Sequence, residues 1–357
     1  MKLFFDARYI RTDFHDGISR YSTELAAALS KQAHVTFIIH SVEQLKFLPA
    51  NADYVIIHAP TSALEPFTAL RLNRYRPDVV FSPMQTMGTM GRRFKLILTL
   101  HDMIYYRHRT PPHQFNPLIR AGWWLYHATY IPQRLALNSA DMVATVSQTS
   151  REDILAAKLT KRPVVVVPNA PQNLRSYLEK DVATRQPTNL VYMGSFMEYK
   201  NVETLIRGLA FLPKFTLHLL SRISPTRKEE LKSIAPRGAK IVFHNGVTDE
   251  VYAEKLADNA LLVSASLDEG YGLPVAEALA LGVPAVISDL PIFHEVAGEG
   301  ALYFEPTNAA DFADKVKQAA EPANYQALST AGTLQSQKFS WQASAKTLLE
   351  KIDTLTK

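Results

Sequence analysis

The sequence predicts an α/β protein built from two doubly wound domains in tandem, and three observations carry that expectation. Short apolar runs alternate with longer stretches of helical periodicity along the chain, which is the pattern of parallel βαβ units rather than of sandwiches or bundles. At 357 residues the chain exceeds one ordinary core and suits two domains of roughly 150 to 200 residues each. The alternation is interrupted at residues 171–187, "PQNLRSYLEKDVATRQP", by polar and turn-forming residues that read as a linker.

In the first half, residues 1–170, the strand candidates are "KLFFDAR", "HVTFIIH", "YVIIHAP", "DVVFSP", "KLILTL", "MVATVS" and "VVVV". Between the first two lies "GISRYSTELAAALSKQ", where Ile18, Tyr21, Leu25 and Leu29 fall on one helical stripe. Residues 188–338 resume the pattern with "NLVYMGS", "FTLHLLS", "KIVFHNG", "ALLVSAS", "VPAVISD" and "ALYFEP". The tail, residues 339–357, sets Trp341, Ala345, Leu348, Leu349 and Ile352 on a stripe, so it is expected as a helix that needs a surface to cover.

Composition narrows the class. A chain that is 47% hydrophobic and 20% charged is folded and neither disordered nor collagen-like. The absence of cysteine removes disulfides, thiolate metal sites and cysteine nucleophiles together, and suits a reducing compartment. Asp6 and Arg8 come too early for a secretory apolar region, and no run of about 18 apolar residues occurs. The expectation is a cytoplasmic protein, with the inner membrane face as the place of any peripheral contact. Residues 1–170 hold 20 Lys and Arg against 12 Asp and Glu, leaving 19 against 22 for the remainder, so the basic character sits in front. Nucleic acid is set aside, because zinc-ligand spacing, RNA-binding aromatic signatures and basic runs are all missing. An anionic membrane surface and a merely solvated basic face both stay open.

In open parallel sheets ligands bind beyond the carboxyl ends of the strands, so motifs there are the candidates for chemistry. The richest is "SASLDEGYGLPVAEALALG", Ser264 to Gly282. Gly270 and Gly272 permit close backbone approach, Pro274 suits a helix start and Gly282 suits its stop. A helix starting there offers free N–H groups and the positive dipole end to an anion such as a diphosphate. Glu269 and Glu277 are better placed to accept hydrogen bonds from sugar hydroxyls. A nucleotide sugar presents both kinds of group.

The form "EGYGLPVAE" resembles the signature of glycosyltransferase family 4, retaining enzymes of GT-B fold, in which two Rossmann-like domains face a central cleft. "YMGSFMEYKN" is similar to that family's phosphate-binding strand-loop-helix, "LHD" to its front-domain histidine at a strand end, and "DGISRY" to its first glycine turn. The resemblance extends over essentially the whole chain. It implies that Glu269 binds hydroxyls of the donor sugar, Glu277 the ribose, and the N–H groups of Gly270, Tyr271, Gly272 and Leu273 the diphosphate. It further implies that Gly194, Ser195 and Lys200 lie at the phosphates, with Lys200 neutralising the leaving diphosphate, and that His101 reaches the donor sugar from the front domain. One departure is Ser195, where many members carry arginine; mannosyltransferase-like members often carry this serine, which points to GDP-mannose as donor. No Asp-x-Asp pair occurs, in keeping with a metal-independent site that uses no cofactor besides its donor substrate.

Several residues keep two readings. His101 is either a sugar contact or a structural strand-end histidine, and Asp102 either supports it or orients a loop. Gly17 is a turn before a helix or part of an acceptor or phosphate site, and Arg8 and Arg20 divide likewise. The stretch "PLIRAGWWLYHATYIPQRLAL", with Trp123, Trp124, Tyr126 and Tyr130, is a core stripe or a lip for a lipid-linked acceptor, and solvent exposure separates the two. At the level of function the first reading is a retaining transferase acting on a glycan or glycolipid hydroxyl. Against it stand a sugar-nucleotide epimerase on the same fold and a catalytically silent homologue that serves as a binding subunit.

Overall fold

Strands form where the short apolar runs lie, and the pairing of those strands decides where a site can be. The computed structural model describes residues 1–13, 17–111, 117–179 and 186–357. Asp16 of the first glycine turn and residues 180–185 of the expected linker lie outside the described residues. The described chain divides into two compact units, Met1–Asn169 with Ser340–Lys357, and Ala170–Phe339.

The first unit carries β1 (Leu3–Asp6), β2 (Val35–Ile39), β3 (Asp53–Ile56), β4 (Val79–Ser82), β5 (Lys95–Thr99), β6 (Met142–Thr145) and β7 (Val164–Val166). They form one sheet in the order β3-β2-β1-β4-β5-β6-β7, every pair parallel. The second unit carries β8 (Asn189–Tyr192), β9 (Thr216–Leu219), β10 (Lys240–Phe243), β11 (Ala260–Ser264), β12 (Ala285–Ser288) and β13 (Ala301–Phe304). Its order is β10-β9-β8-β11-β12-β13, again all parallel. Both are doubly wound: the chain runs outward from the first strand of the unit, then returns to that strand's other side. The switch points fall between β1 and β4 and between β8 and β11.

Central strands such as β4 and β12 are buried along their whole length because helices cover both faces, which is why they read as continuous apolar runs. Edge strand β10 alternates instead, with Lys240 and Val242 exposed. The core of the second unit gathers Leu190, Leu205, Leu219, Leu261, Val263 and Phe312 among others.

Part of the expected linker is packed. The turn Leu174–Tyr177 lies against the helix Asp249–Ala257 with Leu174 fully buried, and Gln172 Nε2 donates to Asp249 Oδ1 at 3.4 Å. The tail helix, Trp341–Thr356, packs in the first unit on the helix Gly17–Ser30. Its buried stripe is Trp341, Ser344, Ala345, Leu348 and Ile352, and Leu349 is only half-buried. Ser344 takes the inward position because its hydroxyl donates to the Pro168 carbonyl at 2.7 Å. Trp341 meets Tyr21 edge-on with ring centroids 5.8 Å apart.

This packing predicts that Leu348→Ala destabilises the first unit by about 2–5 kcal/mol in urea unfolding. Leu349→Ala, on the half-buried flank, is expected to cost well under half as much.

Candidate active site

Two loops meet at the β8/β11 switch point. The first leaves β8 through Met193, Gly194 and Ser195 and closes in the short turn Glu198–Lys200. Asn201 follows in a left-handed conformation, its Nδ2 donating to the Pro306 carbonyl at 2.7 Å and its Oδ1 accepting from Thr204 Oγ1 at 3.0 Å. The turn that presents Lys200 is thereby pinned from behind. The second loop leaves β11 through Ser264 and Ser266, passes Glu269 and ends at Gly272, the N-cap of the helix Leu273–Ala280. One backbone bond, Leu267 N–H to the Tyr199 carbonyl at 2.7 Å, ties the loops together.

Across that tie, Lys200 Nζ donates to Glu269 Oε2 at 2.5 Å, with the two side chains only 13% and 16% exposed. Ser266 Oγ donates to the same carboxylate oxygen at 3.4 Å. At Gly272 φ is +89°, and a Cβ there would stand 2.8 Å from Phe293 Cε1, so backbone conformation and space both demand glycine. Having no side chain, Gly272 gives the first helical turn no side-chain cap, and Pro274 occupies a position where no N–H is needed. Gly272, Pro274 and Val275 line a cavity of about 110 Å³ together with Gly194, Lys200 and Glu269. An ammonium group and the positive end of a helix thus border one small space, and a single carboxylate offsets them. That field favours an anion.

Beneath the first loop, burial pushes the Tyr192 phenol well above its usual range, so it donates as a neutral hydroxyl, to the Ser195 carbonyl at 2.5 Å. Gly194 makes room for this ring, since a Cβ would lie 2.8 Å from the Tyr192 oxygen, and its N–H donates to Ser221 Oγ at 3.0 Å.

Of the residues expected from sequence, the cavity unites Lys200, Glu269, Gly194, Ser195 and Gly272. Gly270, Tyr271, Leu273 and Glu277 belong to the same loop and helix but are not part of its lining. Tyr271 is buried edge-on against Phe339, and Glu277 is 3% exposed on the second helical turn. His101 and Gly17 belong to the first unit. His101 Nε2 lies 2.7 Å from the Pro83 carbonyl; a carbonyl only accepts, so this nitrogen carries a proton and donates it there. The ring is held edge-on by Tyr21 at 5.0 Å, and Asp102 Oδ1 accepts from the Ile104 N–H at 2.9 Å, orienting the loop. Gly17 is exposed at the start of its helix with open space around it. Arg8 is structural: its guanidinium is buried between Asp6 and Glu65, with contacts at 2.8 and 2.7 Å. Burial works against its charge, but the two carboxylates outweigh that and hold it above the usual range. Arg20 is half-buried on the helix Gly17–Ser30.

Residues 15–170 match the family model described as Glycosyltransferase Family 4, and residues 187–321 match the one described as Glycosyl transferases group 1. The chain belongs to glycosyltransferase family 4. Among its relatives, O-antigen chain mannosyltransferase RfbU of Salmonella typhimurium is 24% identical over 319 residues, 84% of this chain and 86% of that protein. O-antigen chain mannosyltransferase B of Escherichia coli is 27% identical over 225 residues, 58% of this chain and 59% of that protein's length. The fold is shared with sucrose-phosphate synthase of Thermosynechococcus elongatus at a TM-score of 0.74 and 18% identity, covering 99% of this chain and 98% of that one. HepE of Anabaena, solved in complex with UDP and glucose, gives a TM-score of 0.74 at 16% identity, covering 99% of each chain.

The structure adds residues to which the motif reading gave no role. Arg227, from the helix Pro225–Ser233, donates through Nε to the Phe196 carbonyl at 3.3 Å, next to the Ser195 that stands where many members have arginine. Its guanidinium is also paired with Glu203 and Glu230, so it braces the loop from outside. Ser266 and Tyr192 are the other additions. Ser266 carried a signal, a polar residue at the end of an apolar strand, whereas Arg227 sits on a separate polar helix with none. Among the described residues no group of three or more His, Asp or Glu is arranged to hold a metal ion.

Gly272→Ala is expected to destabilise the second unit by about 1–2 kcal/mol from backbone strain alone, with the Phe293 contact adding to it. Gly17→Ala, in open space, is expected to leave the melting temperature unchanged, and thermal denaturation of both variants checks the contrast.

Proposed function

We propose that this enzyme transfers a hexose, mannose from GDP-mannose, to a hydroxyl of a glycan or glycolipid with retention at the anomeric carbon and without a metal ion. The observation that carries the reading is the Lys200–Glu269 pair beside the uncapped helix start at Gly272. In this assignment the diphosphate lies against the Gly270–Leu273 amides and Lys200. Glu269 accepts hydrogen bonds from the transferred sugar, and Glu277 serves the ribose.

The chemistry asks for little more. The bond between the anomeric carbon and the phosphate oxygen breaks, the acceptor oxygen bonds to that carbon on the vacated face, and the acceptor's proton passes to the departing diphosphate. Charge grows on the diphosphate as the bond opens, and preorganised donors aimed at it provide the main stabilisation. Lys200 and the helix amides are such donors, so no protein nucleophile is needed. The choice of mannose rests on the relatives, which include, besides the two O-antigen enzymes, an MMP alpha-(1->4)-mannosyltransferase of Mycolicibacterium hassiacum at 27% identity over 228 residues. Among the described residues no helix is long and apolar enough to cross a membrane, so a lipid-linked acceptor would be met at a surface.

Incubation with a panel of GDP- and UDP-sugars, scored by nucleoside diphosphate release, is expected to single out GDP-mannose and to be unaffected by a chelator. Loss of release on chelation counts against the metal-free reading, and preference for a UDP-sugar against the donor. Lys200→Ala and Glu269→Ala are each expected to slow transfer by tens of fold, about 2 kcal/mol or more in the barrier. Near-normal rates in both variants remove the site assignment.

A further inference from the structure

The aromatic stretch that sequence left between core and lip turns out to be divided between the two, and the exposed part defines a surface. In the helix Pro117–Ala128, Trp123 and Tyr126 turn inward and pack around His127, which contacts Trp123 at 4.1 Å and Tyr126 at 5.0 Å between ring centroids. Tyr106 and Tyr126 both donate to Gln133 Oε1, at 3.3 and 3.2 Å, locking this helix to the next one, Ile131–Asn138. The opposite face is anomalous. Pro117, Ala121, Trp124 and Leu125 recur at helical spacing and all point to solvent, Leu125 at 69% exposure. The next helix continues the pattern with Ile131 and with Leu135 at 70%. A surface helix normally turns its polar residues outward, and this one turns outward a face with no charge at all.

Its border is mainly basic, with Arg107 paired to Asp153 at 2.9 Å. From Met103 to Ala140 the sequence contains Arg107, Arg109, Arg120 and Arg134 and no Asp or Glu. Arg134 donates to the Lys158 and Ala157 carbonyls, and Arg162 donates to the Asn138 carbonyl, so the loop carrying Lys158, Lys161 and Arg162 is fastened to the second helix. An apolar face bordered by long basic side chains matches the boundary between acyl chains and anionic headgroups, where tryptophan and leucine enter and arginine and lysine stay at the phosphates.

We propose that this face of the first unit docks on an anionic phospholipid bilayer, with Trp124, Leu125, Ile131 and Leu135 inserted and Arg134, Lys158 and Lys161 at the headgroups. A second copy of the chain is the poorer occupant, because a two-fold contact through this face would set its basic border against the same basic border. The inference concerns the first unit alone and stands whether or not GDP-mannose is the donor.

The test is co-sedimentation of the full chain with phosphatidylcholine vesicles, with and without roughly one-third phosphatidylglycerol. The wild type is expected to pellet with the anionic vesicles at least about tenfold more than with the neutral ones, and less in high salt. Leu125→Ser/Leu135→Ser and, separately, Lys158→Glu/Lys161→Glu are each expected to abolish most of that binding with unchanged melting temperature, since all four side chains are exposed. The proposal is overturned by a wild type that stays in the supernatant, by variants that bind as well as wild type, or by a vesicle-indifferent wild-type dimer that Leu125→Ser/Leu135→Ser turns into a monomer.

Discussion

The Lys200–Glu269 ion pair is the interaction on which the rest of the site depends. Its partners lie 69 residues apart in sequence and become neighbours only because β8 and β11 are adjacent in the sheet. Each arrives on a loop whose conformation is fixed by other means, Asn201 behind the lysine and Gly272 after the glutamate. The pair is mostly screened from water, so neither charge is fully compensated by solvent and each is sensitive to what enters beside it. In the proposed reaction the ammonium group has two claimants, the carboxylate before the donor arrives and the diphosphate afterwards. When the diphosphate takes the lysine, the carboxylate is left to accept hydrogen bonds from the sugar. Both assigned roles then follow from a single exchange of partners.

Much of the fold was legible because parallel sheets covered on both faces produce continuous apolar runs. Twelve of the thirteen described strands lie within runs that can be picked out by eye, including edge strand β10 in "KIVFHNG", and β3 begins one residue before its run, at Asp53. What sequence concealed has specific causes. Leu174 anchors part of the expected linker, but one apolar residue in a polar stretch carries no period. In the tail, polarity favours Leu349 over Ser344 for the buried stripe, whereas the Pro168 carbonyl rewards the serine hydroxyl. At the cavity, Glu269 and Gly272 could be picked out from their spacing along one segment, whereas Gly270 and Glu277 of the same segment stay outside its lining. The pairing of Lys200 with Glu269 and the brace from Arg227 are tertiary facts with no local trace.

The first unit is organised differently. Its switch point is occupied by the buried Asp6–Arg8–Glu65 cluster, so the basic residue at that strand end is bound up in structure. His101 is set in orientation by the Pro83 carbonyl and the Tyr21 ring, and Tyr21 is in turn packed against Trp341 of the tail helix. The geometry of His101 therefore depends on the last helix of the chain. The neighbouring Trp123 and Trp124 show how little residue type alone decides. One fills an aromatic nest and the other meets solvent, because consecutive helical positions differ by about 100° of rotation.

The central claim is that the carboxylate of Glu269 and the donor diphosphate compete for one ammonium group. Calorimetric titration of GDP into wild type, Glu269→Gln, Lys200→Ala and the double variant tests it directly as a coupled cycle. The account predicts tighter GDP binding by Glu269→Gln than by wild type, with that gain lost in the Lys200→Ala background. Equal or weaker binding by Glu269→Gln, or a gain that persists without the lysine, would contradict it.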